Sequence, residues 1–275
     1  MKIFISVDIE GVASVVHRDQ TKLEGIEYET ARRWMTDEAN AAIEGALAAG
    51  ATEIVVADSH GHMRNLLPAL LHPAALLVSG TPRALSMMDG LDDSFAAAFF
   101  IGYHARAGNP LGILAHTYLG ISIYAVHLNG IEVGESGLNA AIAGHFGVPI
   151  ALVSGDDQLA AEIEALLPWT ERVITKWALS TVSAKNLSPQ QAQQRIRTGA
   201  QQALARLGEM KAFVLDQPLH LEVDFIRPIH AQMAADIPGV EWVAGRKVSY
   251  KCTNMLELTR VWRVMLNLSL GERFV

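Results

Sequence analysis

Apolar positions in the first half of the chain fall into short unbroken runs, separated by a longer stretch of helical period. Ile3, Phe4, Ile5 and Val7 form one run, Glu53–Ala57 and Ala96–Ile101 two more, and each fits a buried strand. From about Glu27 to Ala49 the pattern is helical, and Gly50 ends it as a C-terminal cap would. Strand, long helix, strand is a βαβ unit, which predicts a parallel sheet with a right-handed crossover. Leu76–Ser79 reads as a short third strand, and Thr81-Pro82 as the start of a helix through about Met88. Asn129-Gly130, between Ile121–Leu128 and Ile131–Val133, is a hairpin signal. A helix over Leu138–Phe146 and a strand over Ile150–Ser154 follow, and Gly155-Asp156-Asp157 caps a helix to Leu167.

Beyond Pro168 the pattern changes. Val173–Ile174 is a short strand, and Ser188-Pro189 opens a helix over Gln190–Leu207. His220–Ile226 alternates, as a strand wetted on one face does. Trp242–Ala244 and Val248–Lys251 read as strands and Asn254–Leu270 as a closing helix. The predicted fold class is α/β, a mostly parallel sheet with flanking helices, followed by a smaller α+β C-terminal region. The expected division is residues 1–168 and residues 169–275.

Composition narrows the classes. Half of the 275 residues are hydrophobic, enough for a sizeable core. No run of eighteen apolar residues is present, so no membrane span is expected. A net charge of −7 argues against nucleic-acid binding, which needs a basic surface. The single Cys252 excludes an intrachain disulfide framework, and no signal-peptide pattern opens the chain. The expected location is cytoplasmic.

The candidate chemistry lies where strands end. Asp8 and Glu10 follow the first run with one residue between them, so a continuing strand would point both carboxylates to one side. Like charges that close call for a cation, and a divalent metal is the usual one. The second strand ends in Asp58-Ser59-His60-Gly61-His62, and the strand over Ala96–Ile101 ends in Gly102-Tyr103-His104-Ala105-Arg106. In open α/β sheets, sites form outside the carboxyl ends of the strands, so Asp8, Glu10, Asp58, His60 and His104 are expected to face one crevice. His60 is the preferred ligand of its pair, with His62 behind it or exposed, and Asp58 either joins it or caps the following turn. Arg106 is placed to orient a carboxylate. Glu135 stands at a helix start, where a carboxylate is favoured in any case. His116, in a glycine-punctuated loop, is a metal ligand, an acid–base group or a surface histidine. His17, His72, His127, His145, His220 and His230 read as ordinary surface or core histidines.

Mixed imidazole and carboxylate donors suit zinc or a neighbouring first-row metal better than magnesium. Five such donors exceed what one tetrahedral zinc needs, whereas a carboxylate-bridged pair of metals would use them. The reaction class that follows is metal-assisted hydrolysis of an amide or phosphoester. A two-magnesium exonuclease and a non-catalytic peptide-binding module are the alternatives. The first would want carboxylates where histidines stand, and the second would tolerate the loss of a ligand position.

Ser6-Val7-Asp8-Ile9-Glu10-Gly11, Asp58-Ser59-His60, Gly102-Tyr103-His104-Ala105-Arg106-Ala107 and Val133-Gly134-Glu135-Ser136-Gly137-Leu138-Asn139-Ala140 fall in the order seen in binuclear-zinc D-aminopeptidases, and the chain resembles that family. The likeness is dense over Met1–Asp157 and thinner afterwards, and Ser136 departs from the family's leucine. The resemblance implies a zinc-dependent metallopeptidase hydrolysing short peptides with N-terminal D-amino acids. It implies two zinc ions per subunit, held by Asp8, Glu10, His60, His104 and Glu135, with Asp8 bridging. It implies His116 as nucleophile or general base, and a homo-oligomeric decameric ring with its active sites inside.

Overall fold

The computed structural model describes residues 1–271. Seven strands form a first sheet. In chain order they are β1 (Lys2–Val7), β2 (Glu53–Asp58), β3 (Ala75–Val78), β4 (Ala97–Ile101), β7 (Ile150–Asp156), β8 (Glu171–Ser180) and β9 (Ser183–Asn186). Their spatial order is β3-β2-β1-β4-β7-β8-β9, all parallel except the β8–β9 hairpin at one edge. Five strands form a second, antiparallel sheet: β5 (Ile123–Leu128), β6 (Ile131–Glu132), β10 (Leu219–Phe225), β11 (Val240–Ala244) and β12 (Lys247–Cys252), ordered β11-β12-β10-β5-β6. The structure is therefore mixed α/β, built on a mostly parallel sheet, as the hydrophobic runs predict.

The alternation along β1 divides the core. Ile3, Ile5 and Val7 pack on one face with residues of α1 (Tyr28–Ala48) and α4 (Pro189–Ala205). Phe4 packs on the other with β4, α2 (Glu135–His145), α3 (Asp157–Leu166) and the inner face of the second sheet. On that same inner face α5 (Pro228–Ala235) and α6 (Met255–Leu270) join the cluster, and α6 packs against α2. The point between residues 168 and 169 falls between α3 and β8. Each sheet draws strands from both sides of it, since β8 and β9 extend the parallel sheet while β5 and β6 belong to the antiparallel one. Residues 272–275, the end of the expected C-terminal region, lie outside the described residues.

Several local expectations meet a different outcome. No helix spans 81–88; Ser86 takes a left-handed backbone (φ 53°), leaving one 3-10 turn at Ser86–Met88. Helix α2 starts at Glu135, three residues earlier than expected, and so absorbs Ser136 and Gly137. The strand at Val173–Ile174 is ten residues long and turns into β9, and α5 was not foreseen. Asn129 and Gly130 both have positive φ (49° and 79°), as the predicted hairpin turn requires. Among the described residues no helix is long and apolar enough to cross a membrane.

Candidate metal centre

Strands β2, β1 and β4 are neighbours and parallel, so their carboxyl ends open at one place. β1 ends at Val7, and Asp8 and Glu10 are carried by the turn after it rather than by a continuing strand. That turn lies on the segment after β4, with Asp8 N donating to Ile101 O and Gly11 N to Gly102 O, each at 2.8 Å. A Cβ on Gly11 would fall on the Tyr103 carbonyl, and one on Gly102 (φ 69°) on the Asp8 carbonyl. Glycine at both positions is what lets the two segments touch.

Buried side chains fasten the rest of the turn. Lys176, fully buried on β8, donates to the carbonyls of Glu10, Val12 and Val15. Thr175 donates to Gly11 O, Glu38 accepts from Ala13 N and Asn186 from Ser14 N. Burial pulls the Lys176 ammonium down to about 8, against the opposing pull of Asp156, Glu38 and Glu10. Lys176→Met leaves three carbonyls without this donor and is expected to lower unfolding stability by about 3 kcal/mol in urea denaturation. A loss under about 0.5 kcal/mol, the size of an ordinary surface change, would show that the turn does not depend on this clamp.

Six of the residues singled out from sequence converge. His60 Nδ1 lies 3.2 Å from Asp8 Oδ1 and 3.0 Å from Glu10 Oε2. His104 Nε2 lies 3.5 Å from Asp8 Oδ2 and 3.3 Å from Glu135 Oε1, and His116 Nε2 3.6 Å from that same oxygen. The donors form two triads, Asp8–Glu10–His60 and His104–His116–Glu135. Asp8 spans them, one oxygen toward a histidine of each. The rings of His104 and His116 stack at 4.2 Å.

The imidazoles are oriented from behind. His104 Nδ1 faces Ala105 O, His116 Nδ1 faces Leu114 O and His60 Nε2 faces Thr21 O, at 2.9, 2.9 and 2.7 Å. A carbonyl only accepts, so each of these nitrogens carries the hydrogen. In the neutral ring the other nitrogen then presents a lone pair to the carboxylates, the arrangement of metal-binding histidines. Tyr118 N donates to Glu135 Oε1 at 2.7 Å. Beneath the cluster, Ser6, Ser59, Tyr103 and Asn139 form a buried hydrogen-bonded chain.

Three carboxylates buried together make the electrostatics severe. Burial, then Glu10, pushes Asp8 up to about 7. Burial also opposes ionisation of Glu10, but His60 outweighs it and holds this carboxyl well below its usual range. Glu135 is likewise lowered, with burial overcome by His104. Against burial, Glu10 raises His60 well above its usual value and Glu135 raises His104 to about 10. Burial and the nearby His104 lower His116. Glu10 Oε2 and His104 Nε2 are buried without a well-formed hydrogen bond, despite these close neighbours. Orphaned inward-facing donors among convergent carboxylates fit a divalent cation, and the mixed nitrogen and oxygen set suits zinc.

Other candidates take different places. Asp58 accepts from Asn65 N, Leu66 N and the Asn65 amide, and Asn65 also donates to His60 O, so Asp58 folds the loop that presents His60. Arg106 pairs with Glu132 at 2.9 Å, and its guanidinium also binds Ala107 O. His62 has a buried Nδ1 with no hydrogen bond and belongs to neither triad. Sequence reasoning passed over Lys176 and Glu38, because a single charged residue within an apolar strand or a helix has no local pattern to mark it.

Two cavities meet at the cluster. One of 380 Å³ is walled by Asp8, His60, His116 and Glu135 and extends to α6; one of 630 Å³ reaches Glu10, His60 and His116 from the side of Arg18 and Lys22. A family model described as D-aminopeptidase matches residues 1–264. The chain is 37% identical over 276 residues to the D-aminopeptidase of Bacillus subtilis (strain 168), with all of both chains covered. It superposes on the solved Zn-dependent D-aminopeptidase DppA from Bacillus subtilis, a self-compartmentalizing protease, with a TM-score of 0.97, at 36% identity and with all of both chains covered.

Proposed function

The chain belongs to the D-aminopeptidase family, and on that premise we propose that it is a zinc-dependent aminopeptidase hydrolysing short peptides with an N-terminal D-residue, D-alanine being the type. The observation that carries this reading to the chemistry is the pair of donor triads joined through Asp8 at the wall of a cavity. Asp8, Glu10, His60, His104 and Glu135 would hold two zinc ions per subunit, Asp8 being the residue that faces both triads. Bound zinc supplies polarisation of the scissile carbonyl and a water of lowered pKa.

The side chains do the rest. The carbonyl partners of the three imidazoles keep the inner nitrogens aimed at the cluster as substrate enters. Tyr118 N, bonded to Glu135 Oε1, fixes that carboxylate. His116 holds its Nδ1 hydrogen on Leu114 O and is left with Nε2 to act at the substrate, as nucleophile or as general base. A cavity of 380 Å³ is in the range that small ligands fill. The resemblance extends the proposal to a cytoplasmic homo-oligomer, a decameric ring enclosing its sites.

Stereochemistry tests the assignment. The purified full chain supplied with zinc should release alanine from D-Ala-D-Ala with kcat/KM about 100-fold above that for L-Ala-L-Ala, through differential transition-state binding. Equal rates, or preference for the L-peptide, would overturn the substrate class while leaving the metal centre standing.

A further inference from the structure

The cavity walled by Asp8 and Glu135 also carries two cations, Arg83 and Arg263. They are differently placed. Arg83 is buried and its guanidinium is taken up by the fold: Nε lies 2.9 Å from Met63 Sδ, and its terminal nitrogens face the Asp58 and Val78 carbonyls. Arg263, on α6, is half-buried and uses one terminal nitrogen, which donates to Ala84 O at 3.2 Å. Among the described residues it pairs with no carboxylate. Asn267 lies four residues on, hence on the same helix face, and lines the same cavity. Leu266, Met87 and Leu119 make the wall apolar elsewhere.

We infer that Arg263, assisted by Asn267, anchors the C-terminal carboxylate of the substrate, so that this site takes dipeptides and tripeptides as free acids. The inference rests on the peptidase reading above and narrows its substrate class. A guanidinium fork matches a carboxylate in two parallel hydrogen bonds, and among the described residues the remaining donors of Arg263 face no competing acid. Successive Cα atoms are about 3.8 Å apart, so a free carboxylate follows the scissile carbonyl closely only when the peptide is short. With the scissile carbonyl at the metal cluster and the carboxylate on Arg263, both within one cavity, longer chains are excluded by length.

The test compares D-Ala-D-Ala with its C-terminal amide. A charge-assisted pair of this kind is worth about 30-fold in kcat/KM, and the wild-type chain should favour the free acid by that factor, mainly through KM. In Arg263→Met the ratio of acid to amide should fall to about one, and Arg263→Lys should keep part of it, since a single ammonium retains the charge but not the fork. An unchanged ratio in Arg263→Met, or no preference in the wild-type chain, would overturn the inference. If the wild-type chain cleaves neither peptide, the peptidase reading fails instead. Calorimetric binding of the same two peptides then decides the anchor: tighter binding of the acid, lost in Arg263→Met, supports it, and equal affinities refute it.

Discussion

His116→Ala is expected to lower kcat for D-Ala-D-Ala by on the order of 10³-fold, the range for a positioned acid–base group, while zinc content stays at the wild-type level. His116 is the one cluster residue placed in a loop with neither a strand end nor a helix start beside it. It borders both cavities, and among the described residues the carboxylate it pairs with is Glu135, at 3.6 Å. Its ring stacks on His104, so its removal opens space above an intact His104 rather than displacing it. Elemental analysis alongside steady-state kinetics separates the possible roles. Loss of zinc together with turnover would place His116 among the ligands, and retained turnover would remove it from the reaction.

Asp8→Asn is expected to fail earlier, at metal binding. The substitution keeps the shape of the side chain and removes the charge shared by both triads. Zinc should fall from about two per chain to one or fewer, and turnover by on the order of 10³-fold or more, because the shared carboxylate is what a paired-metal site uses to hold both ions. The fold should survive. Asp8 is 2% exposed and sits beside Glu10 and Glu135, so the neutral amide relieves repulsion between buried carboxylates. A thermal melt in chelator should therefore place the variant at or above the wild-type chain. Full zinc occupancy in the variant would show that Asp8 is not a ligand.

The division between what could and could not be read from sequence has a physical origin. Asp8, His60 and His104 were legible because each follows an apolar strand, and parallel neighbours bring their carboxyl ends together. The convergence of Asp8 with Glu10 was anticipated for the wrong geometric reason. The strand stops at Val7, and a turn fastened by Lys176, Thr175, Glu38 and Asn186 brings Glu10 around. Those four residues lie 25 or more positions away, and no local spacing ties them to Glu10. Likewise β8 carries Thr175, Lys176 and Trp177 among its apolar residues, so only Val173–Ile174 stood out. Arg106 sits beside His104 in sequence but is drawn away by Glu132, whereas Arg263 reaches the cavity from the other end of the chain.

Metal stoichiometry tests the paired-metal centre most directly. Elemental analysis of the purified full chain, after zinc reconstitution and removal of excess, should find about two zinc per chain. One zinc per chain would contradict the shared role of Asp8, and none would contradict the reading of the cluster as a metal centre.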